Sequence, residues 1–204
     1  WEGAIDVYGD DYVDAADDNR PVVLTAGKIL GLMVAYCDND GSELRENFIE
    51  IIFTLKRWRE SVAGARKRGA LVDFHTRHKL LILSHSTEIY RQLGKLVASQ
   101  GDQSFDEVCK QYMALLMKCL RLKTTVAKHV NVLQHVLGYF KKQLSSDEKQ
   151  EMLEVIADYR AGLIPLIVPI TLLNHFVRKY KQPYLQQQVY LCPHPLELKL
   201  RNHV

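Results

Sequence analysis

The sequence predicts an all-α protein: a bundle of six to eight helices with an irregular acidic N-terminal arm. Three observations carry this. From Ser42 onward apolar residues recur every three or four positions. Ser and Glu stand three apart at the start of two of those runs, as in a capping box. Only the neighbourhood of Val22 has the character of a strand, and no internal repeat of roughly twenty to fifty residues is present.

Trp1 to Pro21 is rich in Asp, Gly and Tyr without a steady period and reads as irregular. Val22 to Tyr36 is apolar with Gly27 and Gly31, compatible with a short strand followed by a helix or with one loose helix. The Asp, Asn, Asp and Gly at 38 to 41 make a turn. Ser42 is then placed to cap a first helix whose inner stripe is Phe48, Ile51, Ile52, Leu55, Trp58 and Val62. That helix closes on Arg66, Lys67, Arg68 and Gly69, cations at the negative end of the helix dipole.

A second helix from about Ala70 to His85 sets Leu71, Phe74, His75, His78, Leu81, Ile82 and His85 on one face. Ser86 or Thr87 caps a third, with Ile89, Tyr90, Leu93 and Val97 inward. Ser104 and Glu107 start a fourth, in which Val108, Tyr112, Leu115, Leu116 and Cys119 repeat. The pattern loses phase from Leu122 to Thr125. A fifth helix carries Val126, Val130, Leu133, Leu137 and Phe140 inward, with Asn131, His135 and Tyr139 four apart on a neighbouring face. Ser145 and Glu148 start a sixth, ending at Gly162. Pro165 suits the first turn of a seventh, with a bend or restart at Pro169. A short helical piece around Tyr184 to Val189 and a proline-rich tail, Cys192 to Pro195, complete the chain.

With 204 residues, 47% of them hydrophobic, the chain is long enough to bury a sizeable core, and one domain plus an appendage is the natural reading. The expected division is an arm over residues 1–43, or the remnant of an upstream domain, and a helical domain over 44–204. Cys37, Cys109, Cys119 and Cys192 are widely spaced and read as free thiols of a reducing cytoplasm. The most apolar segment, Leu163 to Leu173, holds two prolines and is too short to cross a bilayer. The acidic amino terminus does not resemble a secretory leader.

The net charge of +3 conceals a division. Residues 1–46 carry eleven Asp and Glu against three Lys and Arg, a balance of −8, which leaves +11 for residues 47–204. A basic body of this kind concentrates polyanions such as RNA or DNA near its surface. It is equally the mark of a solvated surface with no such partner.

Two constellations stand out. His75, His78 and His85 share a face, and a pair at i and i+3 chelates a metal where a third ligand arrives from elsewhere. Without a supporting acidic residue, such a pair is more commonly core packing, and no metal is expected. Arg77, Lys79 and Arg91 lie off that face, suited to phosphates or to plain solvation. Asn131, His135 and Tyr139 place an amide, an imidazole and a phenol in a row, able to read a base edge and to stack on a ring. The competing account is a buried polar seam that fixes helix register. Lys141 and Lys142 follow directly and suit a phosphate beside that row, with Tyr159, Arg160, Asn174 and His175 available from the next two helices.

Five blocks in order resemble the YbgA family, a bacterial domain of unknown function. They are Phe74 to Ser86, Tyr90 to Ala98, Asn131 to Ser145, Asp158 to Leu173, and Pro183 to Leu191 with Pro193 to Pro195. Arg45 to Phe48 resembles the point at which fused members enter the domain, so the likeness starts near residue 44. In those members the domain follows a thiouracil-desulfidase-type domain, which holds an iron–sulfur cluster through three cysteines. The 43 residues ahead of the likeness contain only Cys37, so that chemistry and its cluster are not expected within this sequence, and no cofactor is assigned. Stand-alone members are also known. The resemblance implies a helical partner of chemistry on modified nucleobases.

No serine-nucleophile elbow, phosphate-cradling glycine loop, zinc-protease motif or close pair of carboxylates is present. Three functions are compatible with the chain, in descending order. The first is an accessory binding module for tRNA, other nucleic acid or a modified nucleotide, assisting a desulfidase-type protein. The second is an enzyme using His75, His78 and His135 as acid and base groups on a nucleobase-like molecule. The third is a structural domain without a ligand. No catalytic residue is assigned, and the ligand-binding candidates are His75, Arg77, His78, Lys79, His85, Asn131, His135, Tyr139, Lys142 and Arg160.

Overall fold

Capping serines and threonines, with prolines at helix starts, divide the chain into nine helices among the described residues. A computed structural model describes residues 5–6, 23–24, 41–99 and 103–202. The remainder of the acidic arm, including the expected turn at 38–40 and Cys37, lies outside them. Two short strands, β1 (Ile5–Asp6) and β2 (Val23–Leu24), pair antiparallel with Ile5 opposite Leu24, a strand near Val22 being one of the two readings the sequence left open. The helices are α1 (Gly41–Trp58), α2 (Arg68–His85), α3 (Thr87–Ala98), α4 (Phe105–Leu120), α5 (Val126–Leu137), α6 (Ser146–Arg160), α7 (Ile167–Lys179), α8 (Pro183–Gln186) and α9 (Pro195–Asn202). The all-α expectation holds. The count passes eight because the four-residue α8 and the tail helix α9 are both present.

The caps follow the sequence closely. Ser86, Ser104 and Thr125 each accept the backbone N–H three residues on, opening α3, α4 and α5. Ser145 and Glu148 form the full reciprocal box at α6. Helix α1 begins at Gly41, one residue before the expected cap Ser42, a difference within the fraying of helix ends. It runs into a π-helical turn, Arg59–Ala63. Pro165 stays outside α7, and Pro169 lies in its first turn, where an absent N–H costs nothing, so the helix begins at Ile167 and the restart expected as one alternative at Pro169 does not occur. The expected run through Phe140 divides, since α5 stops at Leu137 and a 3-10 turn, Gly138–Phe140, follows. The proline-rich stretch Cys192 to His194 is non-helical, and α9, not anticipated from the sequence, follows it with Pro195 at the helix start.

The chain forms two compact units. The first comprises residues up to His75, Arg91–Lys123 and those from Pro195 on, and the second comprises Thr76–Tyr90 and Thr124–His194. In the first unit Trp58 stacks on Tyr112, centroids 5.5 Å apart, and meets Phe74 edge-on at 5.1 Å. Asn47 donates to the Leu122 carbonyl at 3.2 Å. Arg57 of α1 pairs with Glu197 of α9, a carboxylate only 1% exposed, and lies over the Phe53 ring at 5.9 Å. Arg66, in the left-handed region at φ 46°, donates to both oxygens of Asp106 at 2.8 and 2.9 Å.

In the second unit the segment Pro183 to Leu191 forms a strap fastened at several points. Gln188 is fully buried. Its Nε2 donates to the Thr76 carbonyl at 2.7 Å and its Oε1 accepts from the Leu80 N–H at 3.2 Å, so one carboxamide addresses both ends of a single i, i+4 rung of α2. Beside it the Val189 N–H donates to the Arg77 carbonyl at 3.0 Å. Tyr190 lies 2.9 Å from His129 Nδ1, and Asn174 Nδ2 donates to the Leu191 carbonyl at 2.7 Å. Glu148, besides capping α6, accepts from Lys179 Nζ at 2.6 Å and from Tyr180 at 3.0 Å.

Two outcomes are expected from these contacts. Gln188→Leu removes two buried hydrogen bonds and lowers stability by about 1–3 kcal/mol. Urea denaturation and amide exchange at Leu80 read this, and an unchanged midpoint contradicts it. The hydrogen bonds from Lys179 and Ser145, foremost the first, hold the Glu148 carboxyl at about 2, below its ordinary 4.5. A carboxyl depressed on folding adds stability above the ordinary value that is lost as pH falls from about 4.5 through about 2. Glu148→Gln therefore flattens that limb of the stability–pH curve, measured by denaturation at stepped pH. An acid limb of unchanged steepness refutes the assignment.

Candidate functional site

Burial divides the candidate residues into two sets. The α2 histidines point inward, each buried to within a few per cent: 4% of His75, 1% of His78 and none of His85 is exposed. His75, in the first unit, lies with Nδ1 3.1 Å from the Tyr112 hydroxyl, its ring edge-on to the phenol. The Gly94 backbone comes so close that a methyl there would sit 3.9 Å from His75 Nε2. Burial raises the Tyr112 phenol far above its usual range, so it remains a neutral partner. His78 and His85 belong to the second unit, as does His129, whose ring stacks against Tyr190 and meets Tyr159 edge-on. The face Leu71, Phe74, His75, His78, Leu81, Ile82 and His85 is buried throughout, as its spacing predicts. Among the described residues no three His, Cys, Asp or Glu side chains are placed to hold a metal ion.

The second set is exposed. Asn131, His135, Tyr139, Lys142, Arg160 and Arg77 all lie at the surface, with Lys79 half-buried. Of these, His135 and Tyr139 meet, ring centroids 5.6 Å apart and nearly perpendicular. Asn131 is one turn earlier on α5. Lys141 folds back so that its Cε comes within 3.7 Å of where a Cβ on Gly138 would stand, which lays its aliphatic stem beside the Tyr139 turn. Arg160 closes α6, a separate element. Tyr159 is core, Asn174 is engaged with the strap, and His175 meets Phe176 edge-on at 5.6 Å.

Two members of the exposed cluster were not expected. Tyr184, from α8, stacks on Tyr139 with centroids 5.4 Å apart and planes 21° from parallel. Tyr90, expected to point inward, is half-buried at the end of α3's first turn and lies close enough to Tyr139 and Tyr184 for their charges to interact. Burial, the neighbouring phenols and a hydrogen bond with Tyr139 raise Tyr184 above its ordinary value, and burial with Tyr139 raises Tyr90. These phenols therefore stay protonated near neutral pH and present no negative charge to an approaching phosphate. The sequence signal for Tyr184 is weak, a tyrosine following Pro183 in a glutamine-rich segment, whose position beside Tyr139 only tertiary structure reveals.

The site supplies phenols, an imidazole, an amide and ammonium groups. Burial pushes the Cys109 thiol up to about 11 and also raises Cys192, which leaves neither activated as a nucleophile. Among the described residues no helix is long and apolar enough to cross a membrane.

The family described as "Protein of unknown function (DUF1722)" matches residues 79–195. The chain is 35% identical over 152 residues to the "Uncharacterized protein YbgA" of Escherichia coli (strain K12), covering 74% of this chain and 90% of that one. No solved structure matches it. The family match and this identity, reached over nearly the whole relative, establish that the chain belongs to the YbgA family, whose biochemical function is unknown.

Proposed function

We propose that this protein is an accessory binding module for RNA or a modified nucleotide, acting beside nucleobase chemistry carried by a partner of the thiouracil-desulfidase type. The observation that carries the reading is the surface run from Asn131 to Lys142. There an amide, an imidazole and a phenol emerge along one stripe and two exposed lysines follow at once. Unpaired nucleotides are bound by this combination, bases by stacking and edge hydrogen bonds and backbones by ammonium groups. The +11 balance of residues 47–204 supplies the long-range attraction that brings a polyanion to such a surface.

The sequence-based ligand set is narrowed accordingly. Asn131, His135, Tyr139 and Lys142 form the contact stripe, with Arg77 and Arg160 as separate exposed cations. His75, His78 and His85 act from within the fold, where they fix helix packing. Nucleic acid reaches them only by displacing the core around α2, which makes them poor acid–base candidates.

Binding of tRNA and of single-stranded RNA, followed by fluorescence anisotropy over a salt series, tests the reading. Affinity is expected to fall linearly with log salt, and the Lys141→Ala, Lys142→Ala pair is expected to reduce that slope by about 1.5. No binding even at low ionic strength rejects the proposal.

A further inference from the structure

We infer that Tyr139 and Tyr184, with His135 against the first ring, form a stacking subsite for one unpaired nucleobase, so that the protein selects single-stranded over duplex RNA. The inference rests on the reading just proposed and adds what that reading leaves open: which form of RNA, and which rings hold it. Two tyrosines from distant parts of the sequence already lie nearly parallel at stacking distance, and Tyr139 leaves 38% of its surface to solvent. A third flat ring extends such a stack at small cost, because the tyrosines are ordered before it arrives. Bases inside a duplex have both faces covered by their neighbours and cannot do so, whereas an unpaired base has a face to offer.

The surroundings favour a nucleotide over another flat or apolar occupant. Lys141 brings an ammonium group to the turn that carries Tyr139, and Lys142 follows it. The phenol groups of Tyr184 and Tyr90 offer hydrogen-bonding partners beside the stack, which suit a heterocycle better than a hydrocarbon. Tyr184 is held in place by the strap rather than by the stack alone: Leu185 and Gln188 behind it are fully buried, and Gln188 is bonded to the α2 backbone. The platform is therefore rigid, which suits recognition without sequence preference, since every base has a face to stack.

The test uses the full chain and two labelled probes, oligouridine and an RNA duplex of the same length, at one low salt concentration. Tyr139→Leu and Tyr184→Leu are each expected to weaken oligouridine binding by about tenfold or more while changing duplex binding by less than about twofold. Tyr139→Phe and Tyr184→Phe keep the rings and are expected to retain oligouridine affinity within about threefold, which separates stacking from loss of fold. Equal weakening of both probes by the leucine variants, or weakening of neither, overturns the stacking subsite while leaving a plain electrostatic binder. Absence of binding of either probe by the unaltered protein overturns the underlying reading as well.

Discussion

The carboxamide of Gln188 is the contact on which the arrangement of the second unit depends. An amide is the one side-chain group that presents a donor and an acceptor side by side, and here those atoms meet the carbonyl of Thr76 and the N–H of Leu80. A helix backbone normally satisfies itself and offers a neighbour nothing to hold. Engaging one rung gives the strap a polar anchor in an apolar setting, and because hydrogen bonds are directional the anchor fixes position as well as adding stability. From it the chain runs back to Tyr184 and forward to Tyr190, so the surface stack and the His129 contact are set by the same attachment.

The distribution of imidazoles follows from the same economy of burial. A buried imidazole needs a polar partner for its ring nitrogens. His75 with Tyr112 and His129 with Tyr190 each bring a ring nitrogen within hydrogen-bond distance of a phenol, one pair in each unit. His135 has no such enclosure and sits edge-on to Tyr139 at the surface. The exposed imidazole of the site is consequently that of α5, while the three histidines of α2 are buried.

Most of the fold was legible because helical periodicity and capping are local. The α2 face could be listed residue by residue, and the starts of α3, α4 and α6 follow from Ser86, Ser104 and Ser145, whereas the Thr125 cap of α5 emerged only in the structure. What escaped was of two kinds. Buried polar residues give no periodic signal, so the burial of Gln188 on the strap and of Asn47, Glu50 and Thr54 on α1 was not anticipated. Proline occurs in loops and also at helix starts, so α9, which opens on Pro195, was not anticipated beyond the proline-rich stretch. For the site, the stripe Asn131, His135 and Tyr139 was visible in the spacing. The second ring of the stack was not, because a contact between Tyr139 and Tyr184 depends on how the strap is threaded.

The ion pair between Arg57 and Glu197 bears on where this domain ends as a physical object. The stretch shared with the family, residues 79–195, opens midway along α2 and closes where α9 begins. A fragment trimmed to those limits discards the first turns of that helix together with both partners of the ion pair, Arg57 of α1 and Glu197 of α9. The limits of the family match thus fall within helices and leave a buried carboxylate and its cation outside.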